Sequence, residues 1–349
     1  MKTKKIRVGV IGCGGISSVH INSILNSSDM ELGALCDIIP AKMDEKKKLH
    51  NIKDVLCYIN YIEMLDSGKV DAVSICTPNN VHFEIAMEAI KRKIPYAIEK
   101  PICNCIKEAK TLLNTTKKKN VPNMVCFSYR FVAAARYVRD MIVNGDIGNI
   151  YHINCNYYQS WGLPKFNIPR VWRYNKAIAG SGAIGDLGSH MFDLLRFITN
   201  KEFIKIRADY DTFTHQRPDI DNPKLMEIVD VDDYVNVIGQ MEGPIAVNIS
   251  ISRFTYSRGN YQMIEIYGDK GAIRYNLEDN HSGTVEINMG NEPMEKGHIW
   301  IEAPIPQKYN SSQMQSFADI INGCGDGLAA TIEDGYVTQE IIKNVLDSN

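Results

Sequence analysis

Ile6-Arg7-Val8-Gly9-Val10-Ile11-Gly12-Cys13-Gly14-Gly15-Ile16-Ser17 is an apolar run that breaks on glycine and continues into a helical pattern. A buried strand, a tight turn and a helix start, in that order, are the opening half of a βαβ unit. The first glycine allows the sharp turn, and the second lets a pyrophosphate approach the backbone N–H groups at the helix N-terminus. The third motif position is Ser17, slightly larger than the usual Gly or Ala. On this reading Gly12, Cys13, Gly14, Gly15 and Ile16 hold a dinucleotide. The context of strand, turn, helix, second strand and then an acid carries more weight than the glycines alone.

That acid is Asp37, at the end of a second strand over 32–36. A carboxylate there accepts hydrogen bonds from both ribose hydroxyls and repels a 2′-phosphate, so NAD is favoured over NADP. Lys42 nearby softens the preference, and a plain strand-end cap is the alternative role for Asp37. The alternation continues with a cationic helix over 41–49, a strand over 72–76 and a helix to residue 92. A strand over 95–98, a helix over 105–118 and a strand over 124–127 complete it. Strands alternating with helices predict a parallel sheet with right-handed crossovers.

Thr77-Pro78-Asn79-Asn80 ends the strand at which such sheets switch topology. Thr77, Pro78 and Asn79 suit the nicotinamide-side ribose, and helix capping by Asn79 or Asn80 is the competing role. His82, one turn further on, reads by itself as a packed histidine. Glu99-Lys100-Pro101 ends the 95–98 strand, at the carboxyl edge where open α/β folds bind ligands. Pro101 restricts Lys100 to extended geometry, which turns a flexible cation into an aimed one. Glu99 either holds Lys100 or contacts the nicotinamide ribose.

After residue 127 the pattern changes to long alternating strands over 150–158, 204–213, 235–241, 245–254, 262–267, 272–276 and 284–289. Turns such as Gly268-Asp269-Lys270-Gly271 join them, which predicts a mostly antiparallel sheet. The fold class is therefore an α/β Rossmann domain over 1–125, followed by an α+β domain over 126–349 with a large, mostly antiparallel open-faced sheet. A helix over 183–198 carries Asp186 and His190, which project from one helical face four residues apart. A His beside a carboxylate is a proton-transfer arrangement, because the acid orients the imidazole and stabilises its charged form. Asp193 instead pairs with Arg196 on this reading.

Composition bounds the partners. The 349 residues exceed the usual size of one core, so two domains are expected. A net charge of −2 gives no electrostatic case for nucleic acid or an anionic membrane. The basic residues 1–5 precede an apolar run too short for a signal peptide, and no apolar run reaches the ~18 residues of a spanning helix. Nine cysteines without paired spacing read as reduced thiols in a cytoplasmic protein. Asp230, Asp232 and Asp233 read as structural, and no metal site is expected.

Taken together, these motifs resemble the Gfo/Idh/MocA oxidoreductases, named for glucose–fructose oxidoreductase and inositol dehydrogenase. The matching elements are Val10-Ile11-Gly12-Cys13-Gly14-Gly15-Ile16, Cys76-Thr77-Pro78-Asn79 with His82, and Glu99-Lys100-Pro101. Tyr129-Arg130-Phe131, Gly145-Asp146-Ile147-Gly148, Trp172-Arg173, Gly185-Asp186-Leu187-Gly188-Ser189-His190 and Gly268-Asp269-Lys270-Gly271-Ala272 follow in family order. The resemblance implies a catalytic Lys100, Asp186 and His190, and adds His82, Glu99, Lys100 and Arg130 to the cofactor set. For Arg130 a salt bridge is the alternative. It also implies a homo-oligomer, dimer or tetramer, built through the C-terminal sheet.

The implied reaction is hydride transfer between a nicotinamide and a secondary alcohol of a sugar or cyclitol. His190 is the expected base, Asp186 its orienting acid and Lys100 the stabiliser of the alkoxide. Tyr158, Trp161, Trp172 and Arg173, with Lys100, Asp186 and His190, are the expected substrate contacts, since aromatic faces and cations suit a polyol. A glycosidase or lyase using bound NAD for transient oxidation, and a non-enzymatic NAD-binding sensor, are the competing classes.

Overall fold

The structure, a computed structural model, describes residues 4–278, 283–289 and 299–348; the first three residues of the basic start lie outside them. The chain divides into two compact units, residues 1–128 with 311–339 and residues 129–310 with 340–349. The sequence suggested a single crossing after residue 125. The difference is the segment 311–339, which returns to the first unit.

In that unit the strands are β1 (Ile6–Ile11), β2 (Met30–Cys36), β3 (Leu56–Tyr58), β4 (Ala72–Ile75), β5 (Tyr96–Ile98) and β6 (Asn123–Val125). Helices α1 (Ser17–Leu25), α2 (Pro40–Leu49), α3 (Tyr61–Asp66), α4 (His82–Lys91) and α5 (Ile106–Lys119) alternate with them. Among the described residues the strands pair in the order β3-β2-β1-β4-β5-β6, all parallel. This is the doubly wound order whose direction reverses between β1 and β4, the point where such sheets take ligands. β4 and β5 are buried along their whole length, as strands covered on both faces must be. The core gathers Ile75, Ile85, Ile98, Leu112 and Phe127, and Ala330 and Ile332 from the returning segment join it. Val125 N–H donates to Ala330 O at 2.8 Å, extending β6 by one backbone pairing.

The second unit opens with α6 (Ala133–Val143) and β7 (Ile150–Tyr158), followed by α7 (Lys176–Ala179) and α8 (Ser189–Thr199). Then come β8 (Phe203–Asp211), β9 (Gln216–Pro218), β10 (Met226–Ile228), β11 (Tyr234–Met241), β12 (Ile245–Ser252), β13 (Tyr261–Gly268), β14 (Gly271–Leu277), β15 (Thr284–Met289) and β16 (Ile301–Glu302). Helix α9 (Gln313–Ile321) belongs to the first unit, and α10 (Ile332–Leu346) closes the chain. The large sheet runs β16-β15-β14-β13-β7-β12-β11-β8 among the described residues. All its pairings are antiparallel except β7 with β12. Along β7, β11 and β12 buried side chains alternate with exposed ones, so one face packs and the other is open. Asn154, Asn156, Asn236, Asn248 and Ser250 make that open face polar.

Candidate active site

The glycine turn owes its shape to one backbone torsion. Gly12 has φ +90°, and a Cβ there would stand 2.7 Å from Cys76 O. Only glycine fits. Gly14 and Gly15 face open space, with room for a pyrophosphate beside the start of α1. Ser17, larger than the motif's usual residue, is fully buried and folds its hydroxyl back onto Gly14 O at 2.7 Å. The Cys13 N–H, expected to face phosphate, donates instead to Asp37 Oδ2 at 2.8 Å. Asp37 Oδ1 accepts from Ile39 N–H at 2.8 Å. The acid therefore braces the turn, and with about four lone-pair positions it keeps capacity for ribose hydroxyls.

At the end of β4, Thr77 Oγ1 is buried and has no hydrogen-bond partner among the described residues, the kind of orphaned group a nicotinamide-side ligand would satisfy. Asn79 is buried at the start of a short turn before α4, and no side-chain cap closes that helix; the capping role weighed for Asn79 or Asn80 is not seen. His82 is packed, as its place in the sequence read by itself suggests. Its ring is wholly buried, Nδ1 2.9 Å from Pro101 O and Nε2 2.9 Å from Thr77 O. Burial lowers its pKa against the pull of these carbonyls. The ring ties the Thr77 turn to the Pro101 turn.

Lys100–Pro101 is a cis peptide. Glu99 is buried, and its Oε2 accepts from the Lys100 backbone N–H at 3.3 Å. Its Oε1 lies 2.9 Å from Nε2 of His20, a residue of α1 that the sequence reading did not single out. The spacing of His20 along α1 was the available signal, but one histidine on a helix has many uses. Burial raises the Glu99 pKa, and the His20 and Lys100 charges outweigh it and hold it below the usual carboxylate value.

In the second unit, Asp186 sits in a π-helical turn, Ile184–Gly188, that runs directly into α8. The sequence predicted plain α-helix there; a π-bulge is a common local device at functional sites. The turn starts where it does because Asp232 accepts from Gly182 N–H at 2.6 Å and Ile184 N–H at 2.7 Å. Gly182 is obligatory, since a Cβ would overlap Asp232 O. Asp233 accepts from the N–H groups of Phe213 and Thr214, and Asp230 from that of Lys176. This acidic run is spent on backbone amides. Among the described residues, the group of possible metal donors is His20, Glu99 and Cys126.

Two arginines bear on Asp186. Arg253, fully buried, donates from Nη2 to Asp186 Oδ2 at 3.1 Å and to Gly182 O at 2.9 Å. Arg173 Nε is 3.9 Å from the same oxygen, and its guanidinium stacks 4.4 Å from the Trp172 ring. Trp161 packs 4.9 Å from the Arg253 guanidinium. The expected residues Trp161, Trp172, Arg173 and Asp186 are thus brought together, with Arg253 as the member sequence reasoning missed. His190 is buried, its ring in edge contact with Tyr129 at 4.7 Å. Tyr129 is hydrogen-bonded to Tyr157 at 2.6 Å.

Two of the expected residues have other protein partners. Tyr158 stacks on Tyr261 and donates to Asn156 on the open face of the sheet, because side chains alternate along β7; it is Tyr157 that shares the Tyr129 and His190 side. Arg130, for which a cofactor contact and a salt bridge were the two expected roles, makes a buried two-point ion pair with Asp193 at 2.8 and 2.6 Å. Asp193 in turn lies 3.9 Å from Arg196, so its dominant partner is Arg130.

A 3-2-1-4-5-6 parallel sheet, a glycine turn and an acid after β2 define a dinucleotide-binding Rossmann domain. Residues 6–127 match the oxidoreductase family with an NAD-binding Rossmann fold, and residues 135–274 match the GFO/IDH/MocA C-terminal domain. The chain belongs to the Gfo/Idh/MocA oxidoreductase family, as the motifs suggested. Among its relatives is the levoglucosan dehydrogenase of Pseudarthrobacter phenanthrenivorans, 32% identical over 228 residues. That match spans 62% of this chain and 57% of the relative. The myo-inositol 2-dehydrogenase of Thermotoga maritima is 25% identical over 332 residues, spanning 95% of this chain and 92% of the relative. A levoglucosan dehydrogenase structure in complex with NADH superposes with a TM-score of 0.87 at 25% identity, over 99% of this chain and 97% of that one.

Proposed function

We propose that this enzyme oxidises a secondary alcohol of a sugar or cyclitol with Lys100, Asp186 and His190 as its catalytic residues. Bound NAD⁺ supplies the hydride acceptor. Gly12, Gly14, Gly15, Ile16 and Asp37 hold the pyrophosphate and adenosine ribose, and Thr77, Pro78 and Asn79 the nicotinamide side. Lys100 stabilises the negative charge that develops on the substrate oxygen, a type of contribution that usually dominates in a dry site. His190 takes the hydroxyl proton at an imidazole nitrogen, worth about 10²–10⁴-fold in such steps. Asp186 orients that imidazole and stabilises its charged form.

The observation that carries the reading is Asp186, fixed by Arg253 one helical turn before His190. A carboxylate pinned this way is suited to holding another group in place. Trp161, Trp172 and Arg173 around it offer aromatic faces and a cation, which suit a polyol. The named relatives act on an anhydrosugar and on myo-inositol, which supports the substrate class without choosing inositol. The polar open face of the large sheet supports a homo-oligomer, dimer or tetramer, joined there. The cysteines described are all free, and no helix among the described residues is long and apolar enough to cross a membrane; both support action in the cytoplasm.

The test is a panel of levoglucosan, myo-inositol and common aldoses, followed by reduction of NAD⁺ and of NADP⁺ separately. The expected result is NAD⁺ reduction with at least one polyol, slowed about 10²–10⁴-fold but still measurable in Lys100→Ala and in His190→Ala. Near-normal turnover by either variant would overturn the residue assignment.

A further inference from the structure

His20 is buried under the glycine turn and uses both ring nitrogens. Nδ1 is 2.8 Å from Ser74 Oγ on β4, and Nε2 is 2.9 Å from Glu99 Oε1 at the end of β5. The other oxygen of Glu99 takes the Lys100 main-chain N–H. One imidazole thus links the helix that follows the cofactor turn to two neighbouring strands, and its last bond ends on the residue before the lysine. We propose that His20 is a positioning residue for hydride transfer, fixing the Glu99 carboxylate so that the Lys100 main chain, and with it Nζ, is held for the substrate oxygen. This rests on the catalytic reading of Lys100 and extends it to a residue that touches neither substrate nor cofactor.

Geometry favours this over a strut that merely holds the fold. A packing role would be met by any apolar side chain of similar volume, yet the position carries two polar contacts of normal length in a dry interior, where an unmatched group is costly. A partly rotated Lys100 would misplace a cation by an ångström or so, and errors of that size cost about 10²-fold in rate. The Cys126 thiol lies close enough that His20, Glu99 and Cys126 offer ligand atoms within 4.8 Å of one another. Both His20 nitrogens are already engaged, by Ser74 and Glu99.

The test compares His20→Ala, His20→Gln, Lys100→Ala and the His20→Ala/Lys100→Ala double variant, each as the full chain. Hydrogen exchange of the peptide containing Lys100, with NADH affinity by fluorescence, reads the claim without turnover. His20→Ala should speed exchange there at least 10-fold while the NADH Kd moves less than about 3-fold. His20→Gln, which keeps a donor toward Glu99, should restore most of the protection and also guards against a variant that fails to fold. With levoglucosan or myo-inositol as probe, His20→Ala should lower kcat 10- to 100-fold with little change in KM. That loss should vanish in the Lys100→Ala background, because residues acting through one another are not additive.

Equal losses in both backgrounds, or unchanged exchange at Lys100, would overturn the proposal. So would stoichiometric zinc in the purified protein whose removal by a chelator reproduces the His20→Ala phenotype. Full activity of Lys100→Ala would instead sink the catalytic reading itself, a result separable from the exchange data.

Discussion

Arg253 places its Nη2 3.1 Å from Asp186 Oδ2 from a side chain with no exposed surface, while Asp186 itself is 21% exposed. A buried guanidinium is an unusual choice for holding a carboxylate. It gives a fixed, permanently charged fork whose position is set by packing on Trp161. Replacing it by Gln removes the buried charge that fixes Asp186 within the π-helical turn and leaves the more distant Arg173 beside it. Arg253→Gln should lower kcat at least about 10-fold with NADH affinity unchanged, since misplacement of a catalytic group acts on the rate rather than on cofactor binding. Loss of a buried charge partner costs up to about 3–5 kcal/mol, less here because of the exposed carboxylate. A lower melting temperature, read by calorimetry, should accompany the kinetic loss.

The alternation along β7 separates Tyr157 from Tyr158. Tyr158→Phe should leave kcat and KM within about 2-fold of the parent, because Tyr158 is half-buried on the open face and loss of one hydroxyl away from a site is usually small in effect. Tyr157→Phe removes the hydroxyl bonded to Tyr129 and Asn260. A fall in kcat/KM of about 5-fold or more is expected, through the Tyr129 ring that packs on His190. Steady-state kinetics on the two variants side by side decides it; the reverse ranking would mean that the open face, not the Tyr129 side, meets substrate.

Asp37 has two tasks, and substitution should expose both. Asp37→Ser keeps a short acceptor for the turn amides but removes the charge that repels a 2′-phosphate. The ratio of kcat/KM for NAD⁺ over NADP⁺ should fall by at least about 10-fold, equivalent to about 1.4 kcal/mol. Asp37→Ala should do the same and also lower stability by about 1 kcal/mol, the usual loss when backbone donors are left without their side-chain acceptor. Cofactor preference unchanged in Asp37→Ser would remove the acid from the ribose site and leave it only the bracing bonds to Cys13 and Ile39.

The first sheet was legible because its information is local. Apolar runs, Gly12 and the strand-end acid each follow from neighbours in sequence, and β1, β2, β4 and β5 fall where the pattern put them. The short β3 and α3 did not stand out, since three mostly exposed residues carry no periodic signal. The return of 311–339 to the first unit was invisible for another reason: an amphipathic helix shows that it packs, not what it packs on. In the site, residues with a motif were found, and those that act through tertiary geometry were not. Arg253 and His20 carry no local signature, whereas the packed role for His82 and the salt bridge for Arg130, each weighed from the sequence, are the contacts the structure shows.

The His20–Glu99 pair gives stability a pH signature. Burial lowers the His20 pKa, but the Cys76 sulfur and the Glu99 carboxylate outweigh it and raise it from 6.5 to about 10. A raised folded-state pKa means that the native state binds the extra proton between those two values while the unfolded chain does not. Its stabilising contribution is therefore complete below pH about 6.5 and is lost as pH rises toward 10, with a slope of at most about 1.4 kcal/mol per pH unit. Glu99 is depressed below its usual value, so its share is present at neutral pH and disappears only as pH falls through the folded-state value. Urea unfolding of the parent should show midpoints that decline between pH 6.5 and 10 more steeply than those of His20→Gln, in which no imidazole titrates. Groups that titrate in this range without touching His20 are common to both proteins and cancel in the difference, whereas Cys76, coupled to the imidazole, contributes to the same signature. Parallel profiles would mean that His20 is neutral in the native state and that its bond to Glu99 is an ordinary hydrogen bond.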